Sequence, residues 1–153
     1  MKIKTAACIA LMCIGCASAN FSTVLVDDYG HANKCSASGW GWLGTSMATK
    51  SYSNCVADLE KVGWAELPDV TIGVQMEPGS NQVARVLDDS GASRADIRAG
   101  DRITEVDGRS IHGVTDIYRA LRNRKAGEVV PVAIDRDGKP VRALVQLANA
   151  VKE

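Results

Sequence analysis

Phenylalanine occurs once, histidine twice and proline four times in the 153 residues. So few rings leave little material for base stacking, and His31 and His112 are the whole supply of imidazole for catalysis or metal binding. Charge of one sign is missing too. Eighteen basic residues against eighteen acidic ones give a formal net charge of zero, so no overall basic field is available to hold a nucleic-acid backbone. The apolar stretch of residues 6–15 is too short to cross a bilayer, which takes about 20 residues. What is present is a composition of 46% hydrophobic and 24% charged residues. That composition belongs to a folded chain, at this length one domain or one small domain with an appendage.

Residues 1–19 read as a signal peptide. Lys2 and Lys4 form a basic start, residues 6–15 an apolar segment, and Ala17-Ser18-Ala19 a small-residue cleavage site. Removal after Ala19 leaves 153 − 19 = 134 residues with 16 basic and 18 acidic groups. The alternative is a lipoprotein, because Gly15-Cys16 is how a lipobox ends, although Cys13 stands where that pattern carries Leu. Either reading places the domain outside the cytoplasm: periplasmic or secreted, or lipid-anchored in the cell envelope, with membrane contact only through Cys16.

Three cysteines (Cys8, Cys13, Cys16) fall in the leader, leaving Cys35 and Cys55. Two thiols in an oxidising compartment are expected to pair as a disulfide. Closing a loop of about 20 residues stabilises by roughly 3 kcal/mol in the chain-entropy view. The competing reading is a metal site from His31, Cys35 and Cys55. It lacks a fourth ligand and any Cys-x2-Cys pair, so neither metal nor cofactor is expected.

Residues 20–68 and 69–153 differ in texture, with Leu67-Pro68 at the boundary. The first part holds all three Trp and only eight charged groups; the second holds 26 charges, 13 of each sign. In the first part, residues 21–26 read as a short strand. Residues 36–44 read as a glycine-rich loop, and residues 53–62 as an amphipathic helix with Ser53 as N-cap and Gly63 as stop. Trp40, Trp42 and Trp64 are expected to fill a small core pinned by the disulfide. The alternative is a sugar-stacking or membrane-touching surface.

The second part reads as strands over 70–76, 83–87, 103–106, 129–134 and 141–147. A short helix falls near 92–95, and a better one over 115–123 with Thr115 as N-cap and Asp116 at its positive end. Its words carry a resemblance. Ser90-Gly91-Ala92-Ser93-Arg94-Ala95-Asp96-Ile97-Arg98-Ala99-Gly100-Asp101 is similar to S-P-A-A-x-A-G-L-x-x-G-D. Arg102-Ile103-Thr104-Glu105-Val106-Asp107-Gly108-Arg109-Ser110-Ile111 then follows D-x-I-x-x-V-N-G-x-x-I. With Val114-Thr115-Asp116-Ile117, Lys125-Ala126-Gly127-Glu128 and Asp135-Arg136-Asp137-Gly138-Lys139 in order, residues 70–147 resemble a bacterial PDZ domain of the kind appended to HtrA-type periplasmic proteases. The resemblance implies an α+β fold. It would be a partly open β-barrel or sandwich of five to six strands with two helices, preceded here by a small disulfide-pinned segment.

The same resemblance implies capture of a peptide C-terminus by strand addition beside a helix. Thr71-Ile72-Gly73-Val74 occupies the place of the x-Φ-G-Φ carboxylate loop, where Φ is apolar. Val74 and Met76 would continue as the edge strand, and Ile117, Tyr118 and Leu121 would line the pocket. Asp69 and Glu77 bring negative charge close to that loop. No G-x-S-x-G or G-N-S-G-G surrounds any serine, His112 falls in a loop, and the 49 residues of 20–68 are far too few for a protease domain. Arg119, Arg122, Arg124 and Lys125 read as a solvated helix end, with an acidic partner as the alternative.

The expected function is that of an exported, non-catalytic protein binding C-termini or extended segments of envelope proteins, as an adaptor for a separate periplasmic protease or secretion component. The alternative is a structural or assembly protein whose Trp-rich first part is the working surface and whose second part is scaffold.

Overall fold

The structure, a computed structural model, describes residues 18–150. The leader reading therefore lies outside the described residues except at Ser18 and Ala19, which open a strand.

That strand, β1 (Ser18–Val26), pairs antiparallel with β2 (Ala32–Trp40) over nine residues, from Ser18 opposite Trp40 to Val26 opposite Ala32. Asp27 builds the turn between them. Its Oδ1 accepts the backbone N–H of Tyr29 at 2.9 Å and of His31 at 2.8 Å, and Gly30 takes a positive φ. Partial desolvation pushes the Asp27 carboxyl up, but the His31 side chain at 2.7 Å and the two backbone donors outweigh it and hold it below the usual range.

Trp40 leads directly into α1 (Gly41–Lys61), a helix of 21 residues and about 31 Å. Here the glycine-rich reading is corrected: residues 36–40 are strand and 41–44 are the first helical turn. Long-range pairing with β1 overrides the local loop preference. The corner also demands glycine, since a Cβ on Gly39 would sit 2.1 Å from the Gly44 carbonyl oxygen and Gly41 has φ +68°. Ser53 is corrected as well. It lies mid-helix with Oγ donating to the Lys50 carbonyl at 3.0 Å. Gly63 does stop the helix: Gly63 N–H bonds Glu60 O and Trp64 N–H bonds Leu59 O around a φ of +100°. The Cys35–Cys55 disulfide ties β2 to α1, and a short β3 (Ala65–Glu66) adds to the other edge of β1. Paired sulfurs, with His31 on Asp27, replace the His31, Cys35 and Cys55 metal reading. No cluster able to hold a metal exists among the described residues.

The tryptophan core is corrected too. Trp40 is 72% and Trp42 80% exposed, and only Trp64 is half-buried. The buried positions beneath this sheet are Leu25, Cys35, Ala48 and Ala65.

The second part carries the main core. The strand expected over 70–76 breaks at Gly73 into β4 (Val70–Thr71) and β5 (Val74–Met76). β6 (Val83–Val86) pairs back on β5, and α2 (Gly91–Arg94) is capped by Ser90 Oγ. Next come β7 (Arg102–Val106), β8 (Arg109–Ser110) and α3 (Val114–Leu121). β9 (Val129–Arg136), β10 (Lys139–Gln146) and β11 (Ala148–Asn149) complete the chain. The larger sheet runs β10-β9-β7-β8, and β11 pairs with β4. Inward residues alternate along β9 (Val130, Val132, Ile134) and meet Ile103, Val106, Ile111, Ile117 and Leu121 in one cluster. This is the mixed α+β fold expected, with the disulfide-pinned segment before it. Asp101 is the buried charge of this part, 3% exposed, and the Arg136 guanidinium grips it through two bonds of 2.8 Å.

The two parts meet at α3. Arg119 Nη2 donates to the carbonyls of Gly63 at 2.8 Å and Trp64 at 3.2 Å, and Arg122 pairs with Glu60. Arg124 pairs with Asp107 and Glu128. Three members of the expected solvated basic cluster are therefore occupied inside the molecule.

Candidate functional site

β5 is a strand with one open edge. It pairs with β6 alone among the described strands, with Val74 opposite Val86 and Leu87 N–H bonded to Gly73 O at 2.9 Å. In an antiparallel ladder that bond makes Val74 and Val86 a non-hydrogen-bonded pair, so the N–H and C=O of Val74 point to the far edge. The bond from Glu77 N–H to Gln82 O does the same for Met76, which faces Val83. Across that edge lies α3.

The loop into β5 is turned by its carbonyls. Ile72 O accepts Ala92 N–H at 2.9 Å and Gly73 O accepts Leu87 N–H, both on the protein side. The peptide units are trans, so the N–H groups of Gly73 and Val74 face the opposite way, toward the groove. Gly73 N–H is bonded to Thr71 Oγ1 at 2.9 Å. The loop needs glycine on two counts: φ is +88°, and a Cβ would sit 2.1 Å from Ser90 Cβ.

Between loop, β5 and α3 lies a groove of about 510 Å³. Thr71, Ile72, Gly73, Val74, Met76, Ile117, Tyr118 and Leu121, the residues singled out from the sequence, all line it. The helix presents 114, 117, 118 and 121, one face at i, i+3, i+4 and i+7. Ile72, Ile117 and Leu121 form its buried floor. Burial pushes the Tyr118 phenol up.

Sequence reasoning missed several lining groups. Val114 shares the helical face and was legible from that spacing. Leu67 and Pro68 from the connecting segment and 148–150 from the C-terminal end close one side, and no local pattern marks them. Asp88, Asp89 and Ser90 come from the turn after β6. Asp69 and Glu77 are not among the lining residues, so the acidic groups at the groove are Asp88 and Asp89. No Lys, Arg or His lines it. An anion there meets backbone N–H groups and neutral side-chain donors such as Ser90 and Tyr118, beside two carboxylates.

The comparisons with known proteins concern the family and the fold. The family model described as PDZ domain matches residues 70–147, slightly more than half of the chain. The chain is 37% identical over 65 residues to the serine protease Do-like HtrA of Lactobacillus helveticus, covering 42% of this chain and 16% of that protein. It is 31% identical over 65 residues to the periplasmic pH-dependent serine endoprotease DegQ of Escherichia coli, covering 42% and 14%. The chain thus spans less than a fifth of the length of these relatives, and what it shares with them is the PDZ portion. Among solved structures, an HtrA-type protease AlgW with a decapeptide superposes with a TM-score of 0.51 at 17% identity, over 56% of this chain and 30% of that one. The serine endoprotease from Yersinia pestis superposes at 0.50 and 22% identity, over 74% and 39%; both likenesses concern the fold. With the family model matching more than half of its length, the chain belongs to the PDZ domain family.

Proposed function

We propose that the protein is a non-catalytic binding module that takes a peptide C-terminus as an added strand between β5 and α3. The observation that carries this reading is the open β5 edge ending at a loop whose Gly73 and Val74 N–H groups face the groove. An incoming strand finds main-chain partners at the Val74 carbonyl and at Met76, a carboxylate finds the Val74 N–H and, once it is released from Thr71 Oγ1, the Gly73 N–H, and the last side chain finds an apolar floor. The module acts as an adaptor presenting envelope proteins to a separate protease or secretion component. The relatives whose PDZ portion it shares are proteases, while residues 20–68 are too few to form a protease domain.

Placement in the cell envelope is supported by the leader-like residues 1–19 and by the periplasmic relative. The two processing sites differ in their effect on β1. Cleavage after Ala19 removes the pairs Ser18–Trp40 and Ala19–Gly39, whereas lipid attachment at Cys16 keeps all nine pairs. Intact mass of the exported protein separates them.

Titration of the oxidised protein with free C-terminal peptides and their amidated counterparts tests the binding reading. Micromolar binding that weakens at least tenfold on amidation, and again with Val114→Glu, supports it. Equal binding of both forms or none overturns carboxylate capture. A second reading rests on the exposure of Trp40 and Trp42, which makes the first part a working surface for assembly. There, Trp42→Ser leaves stability within about 0.5 kcal/mol but abolishes association in the cell envelope.

A further inference from the structure

Four of the eight residues from Trp40 to Met47 are large, apolar and turned to solvent: Trp40, Trp42, Leu43 and Met47 are each more than half exposed. They sit where β2 passes into α1, within about 11 Å along the helix axis. Exposed apolar residues scattered singly need no account, but four gathered at one corner do. No Asp or Glu occurs between Asp28 and Asp58. Besides His31, the charged residues of that stretch are Lys34 and Lys50, and β1, which runs beside both elements, carries no charge at all.

The corner is one end of the first part, and the second part is attached at the other. Ser18 pairs with Trp40 at the corner. At the far end of the same strand, Val26 leads into the turn where Asp28 Oδ1 accepts Thr115 N–H at 2.9 Å and the Asp28 carbonyl accepts Gly79 N–H at 2.8 Å. The length of β1 sets about 27 Å between the two ends. α1 runs from the corner to Gly63, whose carbonyl holds Arg119. Both connections keep the second part away from Trp40 and Trp42. The segment before β1 enters at the same corner: Cys16 stands two residues, at most about 7 Å, before Ser18, and the apolar stretch of residues 6–15 precedes it.

These observations converge on one occupant. An indole joins an apolar body to an N–H donor, and such rings settle at the level of lipid headgroups, with Leu and Met at the acyl boundary. Without acidic groups, the corner approaches headgroup phosphates unopposed. Building on the reading of the exposed tryptophans as a working surface, we propose that its partner is a phospholipid bilayer, and that the β2–α1 corner is a foot entering the headgroup layer. The second part then stands about 27 Å off the membrane with its groove free. An acyl chain on Cys16 would place a lipid at this same corner, and the foot then fixes the orientation that one flexible anchor leaves open. After cleavage at Ala19 the foot acts alone and binding is reversible.

The test mixes the exported, oxidised protein with vesicles of phosphatidylethanolamine and phosphatidylglycerol at three to one, with and without brominated acyl chains, and reads tryptophan emission. The expected result is a blue shift on adding vesicles and quenching by the brominated lipid. In Trp40→Ser with Trp42→Ser, the remaining emission comes from Trp64, half-buried beyond the far end of α1, and should be neither shifted nor quenched. Leu43→Glu with Met47→Glu changes exposed positions that tolerate substitution, keeps both indoles, and should cut quenching at least fivefold in a protein whose thermal melt is unchanged. Quenching that survives in either folded double variant overturns the foot. The unsubstituted protein decides alone if the variants do not fold: no shift and no quenching overturns the proposal. If Trp42→Ser then still abolishes association in the cell envelope, the working surface stands with a protein as its partner; if it changes nothing, both readings fall. A dimer in sedimentation that Trp42→Ser converts to monomer assigns the corner to a second copy and likewise overturns the foot.

Discussion

A Cβ on Gly73 would stand 2.1 Å from Ser90 Cβ and 2.6 Å from Ser90 Oγ, so the loop that leads into β5 packs on the residue that caps α2. Gly73→Ala therefore carries two costs, the backbone cost of a positive φ and a collision. Together these are about 2–4 kcal/mol. Ser90→Gly removes the collision partner and, because Gly is itself a tolerated N-cap, costs only about a few tenths of a kcal/mol in capping. In a denaturation cycle, Gly73→Ala should cost less in the Ser90→Gly background than alone, by at least 1 kcal/mol. Additive costs would show that the two residues are not packed as described. Gly73 substitutions consequently report on loop integrity as well as on binding, which is why Val114→Glu is the cleaner probe of the groove.

Asp101 predicts the acid limb of stability. Hydrogen bonds from the Arg136 guanidinium, opposed by desolvation and helped by the Arg98 N–H at 2.8 Å, hold its carboxyl below the ordinary value of 3.8. A carboxylate depressed on folding stabilises the native state above its unfolded value, and that contribution is lost as pH falls through the folded value. Asp101→Asn should cost about 2–3 kcal/mol at pH 7, with the gap to the parent protein closing as pH drops below 3.8. Arg136→Lys keeps the charge but loses the two-pronged grip, and should recover only part of the loss. A gap that persists unchanged into acid would show that packing, rather than ionisation, sets the cost.

Asp88 and Asp89 predict an unusual salt dependence. They line the groove where no cationic side chain does, so a docking carboxylate is repelled through solvent by two like charges. Raising ionic strength screens that repulsion, and C-terminal peptides should bind more tightly as salt rises from 20 to 300 mM. Asp89 has φ +54°, a conformation that Asn also accepts, so Asp89→Asn should leave the turn intact. With Asp88→Asn it should tighten binding about two- to fivefold, in line with the energies of exposed charge pairs, and flatten the salt response. Weaker binding at high salt would place an unrecognised cation near the carboxylate.

What the sequence made legible was local. Ile117, Tyr118 and Leu121 fall at helical spacing, Gly73 stands between apolar neighbours, and Gly63 stops a helix. What escaped it was supplied from elsewhere in the chain. Thr115 has the chemistry of an N-cap, yet the α3 terminus is satisfied by Asp28, 87 residues away, so the helix starts one residue earlier and Val114 joins the groove. The three glycines of 36–44 argue for a loop until β1 pairs along the whole of β2 and needs those glycines at the corner. Trp40 and Trp42 are apolar, and apolarity alone does not say whether a partner within the fold exists to cover them. The arginines of α3 look solvated until the end of α1 arrives with Glu60 and the Gly63 carbonyl.

The disulfide yields a prediction about where the molecule opens first. Cys35 is fully buried, and its bridge to Cys55 closes a separation of 20 residues between β2 and α1. Cys35→Ala with Cys55→Ala should lower stability by about 3 kcal/mol, chiefly through the freedom regained by the unfolded chain. The end of α1 supplies the carbonyls that hold Arg119, and β1–β2 supplies the turn that holds Thr115. Loosening the first part should therefore release α3 before it disturbs β7, β9 and β10, which pair with one another. Amide exchange in the double variant should quicken over 18–66 and in α3 while the three strands keep their protection. Equal acceleration everywhere would mean that the two parts unfold as one unit. In that case the wall of the groove would be no more mobile than the core behind it.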